Sequence, residues 1–253
     1  MTTVQQVYEV MQRLAPPELA EHWDNPGLLV DCGGNVRRVL VTLDITPEVV
    51  EEAAAKQCTI IVAHHPVIFD PLKKLGPQDV PFQLVRAGIS AICMHTNLDA
   101  ADGGVNDVLA EKLGLTQLSP LTEEKIGRIG TLKCEIPLVE FTRFVIESLG
   151  CNGLRYTDCG KPVHRVAVGG GACGDYIPQA IAAGCDTFVT SDLRYHDFLD
   201  TTALNLIDAG HFPTENVICV PLADYLQKVF PAATVIKTTA HSSEVIQYCI
   251  KEK

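Results

Sequence analysis

The sequence predicts an α/β fold of two related α/β units, each with a mainly parallel sheet flanked by helices. Three observations predict it. Short apolar runs rich in β-branched residues alternate with segments of helical period, the pattern of buried strands joined by crossover helices. The runs end in polar residues, where open α/β sheets place their ligand sites. Part of the pattern also recurs: Arg38-Val39 and Cys58 are matched in type and spacing by Arg165-Val166 and Cys185, at a constant offset of 127 positions.

Taken in order, Val4, Val7, Tyr8, Met11 and Leu14 give residues 3–14 a helical period that Pro16-Pro17 ends. Trp23-Asp24-Asn25-Pro26-Gly27 forms a turn into the short apolar run Leu28-Leu29-Val30. Residues 38–44 read as a strand. Thr46-Pro47 then supplies an N-cap and a first-turn proline for a helix over 47–56. The strand at 59–62 runs into Ala63-His64-His65-Pro66, and a loop over 67–79 and a helix over 80–87 follow. The strand at 89–94 runs into His95-Thr96-Asn97-Leu98-Asp99, and Gly103-Gly104 precedes a helix over 105–113.

A polar stretch, Thr122-Glu123-Glu124-Lys125, links residues 1–123 to residues 124–253, with the C-terminal strand free to return to the first unit. The second unit reads as a strand over 129–135, a helix over 138–149, a strand at 165–168, the run Gly169-Gly170-Gly171-Ala172-Cys173-Gly174 and a helix near 175–183. A strand at 187–190 ends in Ser191-Asp192, and one at 204–207 ends in Asp208-Ala209-Gly210-His211. A helix over 214–228 and a strand near 233–237 close the pattern before Ala240-His241-Ser242-Ser243-Glu244.

Composition narrows the function. With 253 residues, 47% of them hydrophobic, and a mean hydropathy of +0.15, the chain can bury one large core or two moderate ones. No apolar run approaches the length of a membrane span, and the N-terminus has neither the basic start nor the apolar core of a signal peptide. A net charge of −11 argues against dedicated binding of a nucleic-acid backbone. None of the ten cysteines forms a Cys-x-x-Cys pair, so zinc-ribbon and thioredoxin patterns are absent. They are expected reduced and mostly structural, in a cytoplasmic protein.

The chemistry-bearing residues fall just after strands: His64 and His65, His95 with Asp99 four residues on, and His211 with Glu215 four residues on. Asp44 and Asp102 are further neighbours. Imidazole and carboxylate donors suit zinc, iron, manganese, cobalt or nickel. The structural alternatives are satisfied histidines at a strand end, a turn-capping Asp99, and a Glu215 that only complements a helix dipole. His196 is a candidate acid or base and His95 a supporting residue. Gly169-Gly170-Gly171-x-x-Gly174 reads as a tight strand-to-helix turn, with phosphate cradling as the alternative; it lacks the lysine and spacing of nucleotide-binding loops. His241 and Glu244 form a second His-x-x-carboxylate pair. No Gly-x-Ser-x-Gly elbow supports a serine hydrolase.

Trp23-Asp24-Asn25 with Gly27-Leu28, Ala63-His64-His65-Pro66, His95-Thr96-Asn97-Leu98-Asp99, Gly169-Gly170-Gly171-Ala172 and Gly210-His211-x-x-Thr214-Glu215 occur in the order of a known family. Over almost the whole length the chain resembles the GTP cyclohydrolase I type 2-like family, also called NGG-interacting-factor-three-like dinuclear-metal proteins. Ser191 departs from the glycine many members have there and leaves the ligands untouched. The resemblance implies two divalent metal ions per chain on His64, His65, Asp99, His211 and Glu215, with Glu215 or Asp99 bridging, and a toroidal homohexamer. The resemblance also implies that the sites face the interior of the hexamer; the metal cleft at the strand ends between the two units is the expectation that the internal repeat sets. The functional expectation is a metal-dependent hydrolase acting on a small-molecule nucleotide or related heterocycle. The alternative is a non-catalytic metal-binding hexamer that stores or delivers metal or regulates through partners.

Overall fold

The structure, a computed structural model, describes residues 2–249 and divides into two units. The first comprises the chain up to Asp102 together with Ile218–Ser242; the second runs from Gly103 to Val217 and takes up the chain again at Ser243.

In the first unit a short β1 (Thr2–Thr3) leads into α1 (Val4–Leu14). The Thr3 hydroxyl accepts from the Gln6 amide while Gln6 Oε1 accepts from the Thr3 amide at 3.0 Å, a reciprocal cap for two otherwise orphaned N–H groups. Val4, Val7, Val10 and Met11 form the buried face of the helix. Next come β2 (Gly27–Val30), β3 (Asn35–Val36), β4 (Arg38–Thr42), α2 (Pro47–Ala55), β5 (Ile60–Ala63), α3 (Val80–Ala87), β6 (Ser90–Cys93) and α4 (Thr96–Ala100). Thr46 caps α2 through the Val49 amide, with Pro47 in the first turn.

The second unit contains α5 (Val105–Lys112), β7 (Thr116–Pro120), β8 (Arg128–Ile136), α6 (Leu138–Leu149), β9 (Arg155–Thr157), β10 (Val163–Val168), α7 (Ile177–Ala182), β11 (Thr187–Thr190), α8 (Tyr195–Asp200), β12 (Asn205–Asp208) and α9 (His211–Glu215). Then α10 (Cys219–Val229) and β13 (Thr234–Lys237) complete the first unit, where β13 pairs in parallel with β4.

The first unit's main sheet has the order β13-β4-β5-β6-β2, parallel except for β2; the second has β7-β8-β10-β11-β12-β9, parallel from β10 to β12 and antiparallel at both margins. The architecture is thus mixed α/β, with the parallel strands at the sheet centres. Four of those central strands are buried throughout: every residue of β5, β6, β11 and β12 is buried, as expected when helices cover both faces.

The internal repeat extends to strand register. Val39 pairs with Ile60 and Leu40 with Ile61; 127 positions on, Val166 pairs with Thr187 and Ala167 with Phe188. In both units a strand, a helix and a parallel strand deliver polar residues at the same point.

Three features differ from the sequence expectation, each for a local reason. The helix expected over 214–228 is two helices joined by a 3-10 turn at Asn216–Ile218; Pro221 has no N–H to donate to the Val217 carbonyl four residues back, so the α-helical ladder lapses in that turn. The marginal strands β7 and β9 are short and largely exposed, so they carry no apolar period. Every residue of α4 is buried, which erases its amphipathic signature. Thr122 to Lys125 form the turn of the β7–β8 hairpin, with Lys125 at a positive φ of 66°.

None of the ten cysteines is joined in a disulfide. Burial raises the Cys93 thiol to about 12 and the Cys151 thiol to about 11, which makes them inert packing groups. No helix among the described residues is long and apolar enough to cross a membrane.

Phe141, on α6, is fully buried in a cluster with Leu109, Leu113, Val163 and Val166. Phe141→Ala is expected to cost about 3–5 kcal/mol of stability, read as a lowered denaturant midpoint; a loss below about 1 kcal/mol would mean this cluster does not hold the second unit together.

Candidate metal centre

Two strand ends of the first unit bring three imidazoles together. Beyond β5 the chain bends at once, and the amides of His64 and His65 both donate to the Leu43 carbonyl, at 3.2 and 3.0 Å. The bend defeats the alternation that would send neighbouring strand side chains to opposite faces, and the two ring centroids lie 5.0 Å apart. Beyond β6, His95 brings its ring within 5.3 Å of His64 and 5.7 Å of His65. One nitrogen from each of these three rings lies within 4.8 Å of the other two. Asp99, one helical turn after His95 in α4, is only 8% exposed and sets its Oδ1 3.7 Å from His64 Nε2.

Each ring is fixed through Nδ1. His64 Nδ1 faces the Met94 carbonyl at 2.8 Å, and because a carbonyl only accepts, this nitrogen carries the proton. His65 Nδ1 donates to Asp44 at 2.6 Å and His95 Nδ1 to Asp24 at 2.7 Å. In the neutral ring this leaves the lone pair on Nε2, the arrangement in which an acceptor orients a metal-ligating histidine and raises its basicity.

The two carboxylates are themselves held. Burial alone would raise the Asp24 pKa, but hydrogen bonds from His95 and Thr96 outweigh it and bring it to about 2. Asp44 is opposed by burial in the same way, and donors from His65 and His241 hold it below its ordinary value. His241 Nε2 lies 2.8 Å from Asp44, so His241 serves the carboxylate that orients His65.

The second unit builds a pair by the same rule. Gly210, at a φ of 87°, starts α9 immediately beyond β12. His211 and Glu215 then stand four residues apart on one helix face, with Nε2 and Oε2 3.0 Å apart. Glu215 is 4% exposed. His211 Nδ1 donates to Asp192 at 2.5 Å. Asp192 follows β11 at a positive φ of 55° and occupies the place that His65 occupies in the first repeat.

The glycine run contributes space rather than an anion cradle. Its amides are committed: Gly169 to the Val189 carbonyl at 2.9 Å, Gly170 to Asn106 at 2.9 Å and Gly171 to the Thr214 hydroxyl at 3.1 Å. Gly171 has a φ of 66°, and a Cβ added there would overlap Glu215 Oε1. The run is the tight turn that lets Glu215 lie against the backbone.

Of the remaining candidates, His196 is exposed on α8 with its ring 5.3 Å from Tyr195, and Asp102 is exposed. His241 and Glu244 belong to separate units. Sequence reasoning named Asp44 but missed Asp24, the Met94 carbonyl, Asp192 and Gly171 as the groups that position these candidate residues; for Asp192, its match to His65 in the repeat was the available signal. Neutral imidazoles and carboxylates of this kind fit borderline divalent cations.

Asp44→Ala is expected to weaken binding of Zn²⁺ or Mn²⁺ by the protein about 10–100-fold in a calorimetric titration. Gly171→Ala is expected to do at least as much by displacing Glu215. Unchanged affinity in both would show that these positions do not shape a metal site.

A profile of the family Duf34/NIF3 (NGG1p interacting factor 3) matches residues 2–245. The chain is 34% identical over 231 residues to a Clostridium acetobutylicum protein named GTP cyclohydrolase 1 type 2 homolog, covering 84% of this chain and 85% of that protein. A Clostridium perfringens protein of the same name is 30% identical over 236 residues, covering 88% and 90%. Among solved structures, a Staphylococcus aureus hypothetical protein matches with a TM-score of 0.90 at 28% identity, over 98% of this chain and 99% of that one. With the histidine and carboxylate clusters in place, the chain belongs to the Duf34/NIF3 family.

Proposed function

We propose that this protein is a dinuclear-metal-binding, metal-dependent hydrolase acting on a nucleotide or related heterocycle. The observation that carries the reading is the common anchoring of His64, His65, His95 and His211: each Nδ1 is tied to an oxygen acceptor, which directs Nε2 outward as a donor. Buried Asp99 and Glu215 add the anionic oxygen that a divalent ion needs for charge balance. His64, His65, Asp99, His211 and Glu215 are the proposed ligands of two ions.

Ions on such ligands supply Lewis acidity and an activated water. The chain's own contribution is orientation: Asp44, Asp192 and the Met94 carbonyl prevent ring rotation, and Asp24, its pKa brought down to about 2 by hydrogen bonds from His95 and Thr96 against the effect of burial, keeps His95 donating from Nδ1. His95 lies with the ligand rings and is the better placed of the two histidines considered for proton transfer; His196 stands exposed on α8. The substrate class follows from the name carried by the clostridial relatives, and homohexameric assembly from the family likeness.

Elemental analysis of the protein as isolated is expected to find about two divalent ions per chain, falling sharply in a His64→Ala/Glu215→Ala double variant. Metal-loaded protein is expected to turn over at least one member of a nucleotide and phosphoester panel, and the double variant none. Turnover that survives the double substitution would overturn the hydrolase reading. Bound metal with silence across the panel would shift the assignment to metal storage or delivery. Sedimentation as a monomer or dimer would overturn the hexamer.

A further inference from the structure

Two large aromatic rings stand exposed beside the imidazoles of the first unit. Trp23 is 52% and Phe69 49% exposed, with ring centroids 5.9 Å apart and planes tilted by 47°. Both meet His95: Trp23 at 6.1 Å and Phe69 at 6.3 Å between centroids, each nearly perpendicular to the imidazole. Soluble proteins seldom leave neighbouring aromatic rings half in water, and where they do the patch commonly serves recognition.

The pair is also held in place. Phe69 lies in the long connection between β5 and α3, which has no helix or strand of its own; connections of that length in a folded unit are usually functional. Asn25 Nδ2 donates to the Ile68 carbonyl at 2.6 Å and so ties the backbone next to Phe69 to the turn that carries Trp23. The residue between them, Asp24, anchors His95 at 2.7 Å. Three consecutive side chains, Trp23-Asp24-Asn25, therefore supply one ring, orient the imidazole against it, and fasten the loop that bears the other ring.

We propose that Trp23 and Phe69 form a stacking platform for the planar heteroaromatic ring of the substrate, beside the histidine cluster. This rests on the hydrolase reading for its occupant and adds the part that the metal ligands lack: a surface that selects a flat π-system over a bare phosphoester. Stacking on an aromatic side chain tolerates any base, because every base has a π-face. The rings are too close to each other to sandwich a base, so the ligand lies across their outer faces. Leu72 and Leu75 are exposed on the same loop.

Trp23 is the chain's one tryptophan, which makes the test direct. Intrinsic fluorescence of the full-length protein, chelator-treated and Zn²⁺-loaded, would be followed during titration with guanosine and, separately, ribose 5-phosphate. Saturable quenching by guanosine and none by ribose 5-phosphate is expected. Phe69→Ala should weaken guanosine binding about ten-fold, and Trp23→Leu, read by calorimetry, at least as much; Phe69→Tyr should preserve it. Circular dichroism would check that each variant folds.

Absence of saturable quenching, equal responses to the two probes, or wild-type affinity in both Phe69→Ala and Trp23→Leu would overturn the platform. So would a Trp23 emission that changes with protein dilution but not with guanosine, the behaviour of a contact between copies of the chain. The His64→Ala/Glu215→Ala variant separates the two readings: it is expected to keep guanosine quenching while losing metal. Quenching without turnover in the wild type would overturn the hydrolase and support the platform.

Discussion

The constraint on which the candidate centre depends is the anchoring of imidazole Nδ1. A histidine on a free side chain swings about two bonds and exchanges its proton between two nitrogens. A carbonyl or carboxylate fixed against Nδ1 removes both freedoms, and the four rings concerned are fixed in this way at 2.5–2.8 Å. The acceptors are held by further contacts: Asp24 by the amide and hydroxyl of Thr96, and Asp44 by His241. The geometry of the candidate donors is thus set by a ring of acceptors that never needs to touch an ion. The central strands make this possible, because their buried, hydrogen-bonded backbone gives their ends fixed positions.

The repeat shows how one scaffold supports two kinds of strand end. Beyond β5 stand His64 and His65; at the same register beyond β11 stand Ser191 and Asp192. The second repeat has a carboxylate where the first has an imidazole. That carboxylate is an acceptor rather than a metal-donor candidate: Asp192 receives the Nδ1 proton of His211. The third strands retain their likeness, each followed by a histidine and a carboxylate one helical turn later, in α4 and in α9. The scaffold is shared, and the roles of donor and orienter are redistributed between the copies.

What the sequence made legible follows from this arrangement. The central strands and the residues just beyond them were readable, because an apolar run followed by His-His or His-x-x-x-carboxylate is a local pattern. The orienting contacts were not. His95 finds Asp24 71 residues away, and His65 finds Asp44 21 residues away across a helix; neither pairing leaves a periodic trace. The carbonyl of Met94 is invisible in principle, since any residue type supplies one. Gly171 read as part of a tight strand-to-helix turn, but glycine composition reports backbone freedom without saying what uses it. Here the freedom admits the Glu215 side chain. The marginal strands β7 and β9 were lost for the ordinary reason that edges face water and need no hydrophobic alternation.

The Trp23-Asp24-Asn25 turn carries the argument one step further. A turn preceding an edge strand is a poor place to invest three demanding side chains if its task is only to reverse the chain; Asn25-Pro26-Gly27 already suffices for that. Yet Asp24 is sunk against His95 and Thr96, Asn25 reaches the carbonyl of Ile68, and Trp23 stays half in water where it gains little from burial. A purely structural turn would do the opposite, burying the tryptophan and leaving the carboxylate solvated. The inversion makes sense when the turn is considered as part of the centre. The polar pair fixes the imidazole and the loop, and the apolar surface that folding leaves unused is held ready for a ring that the chain itself does not provide.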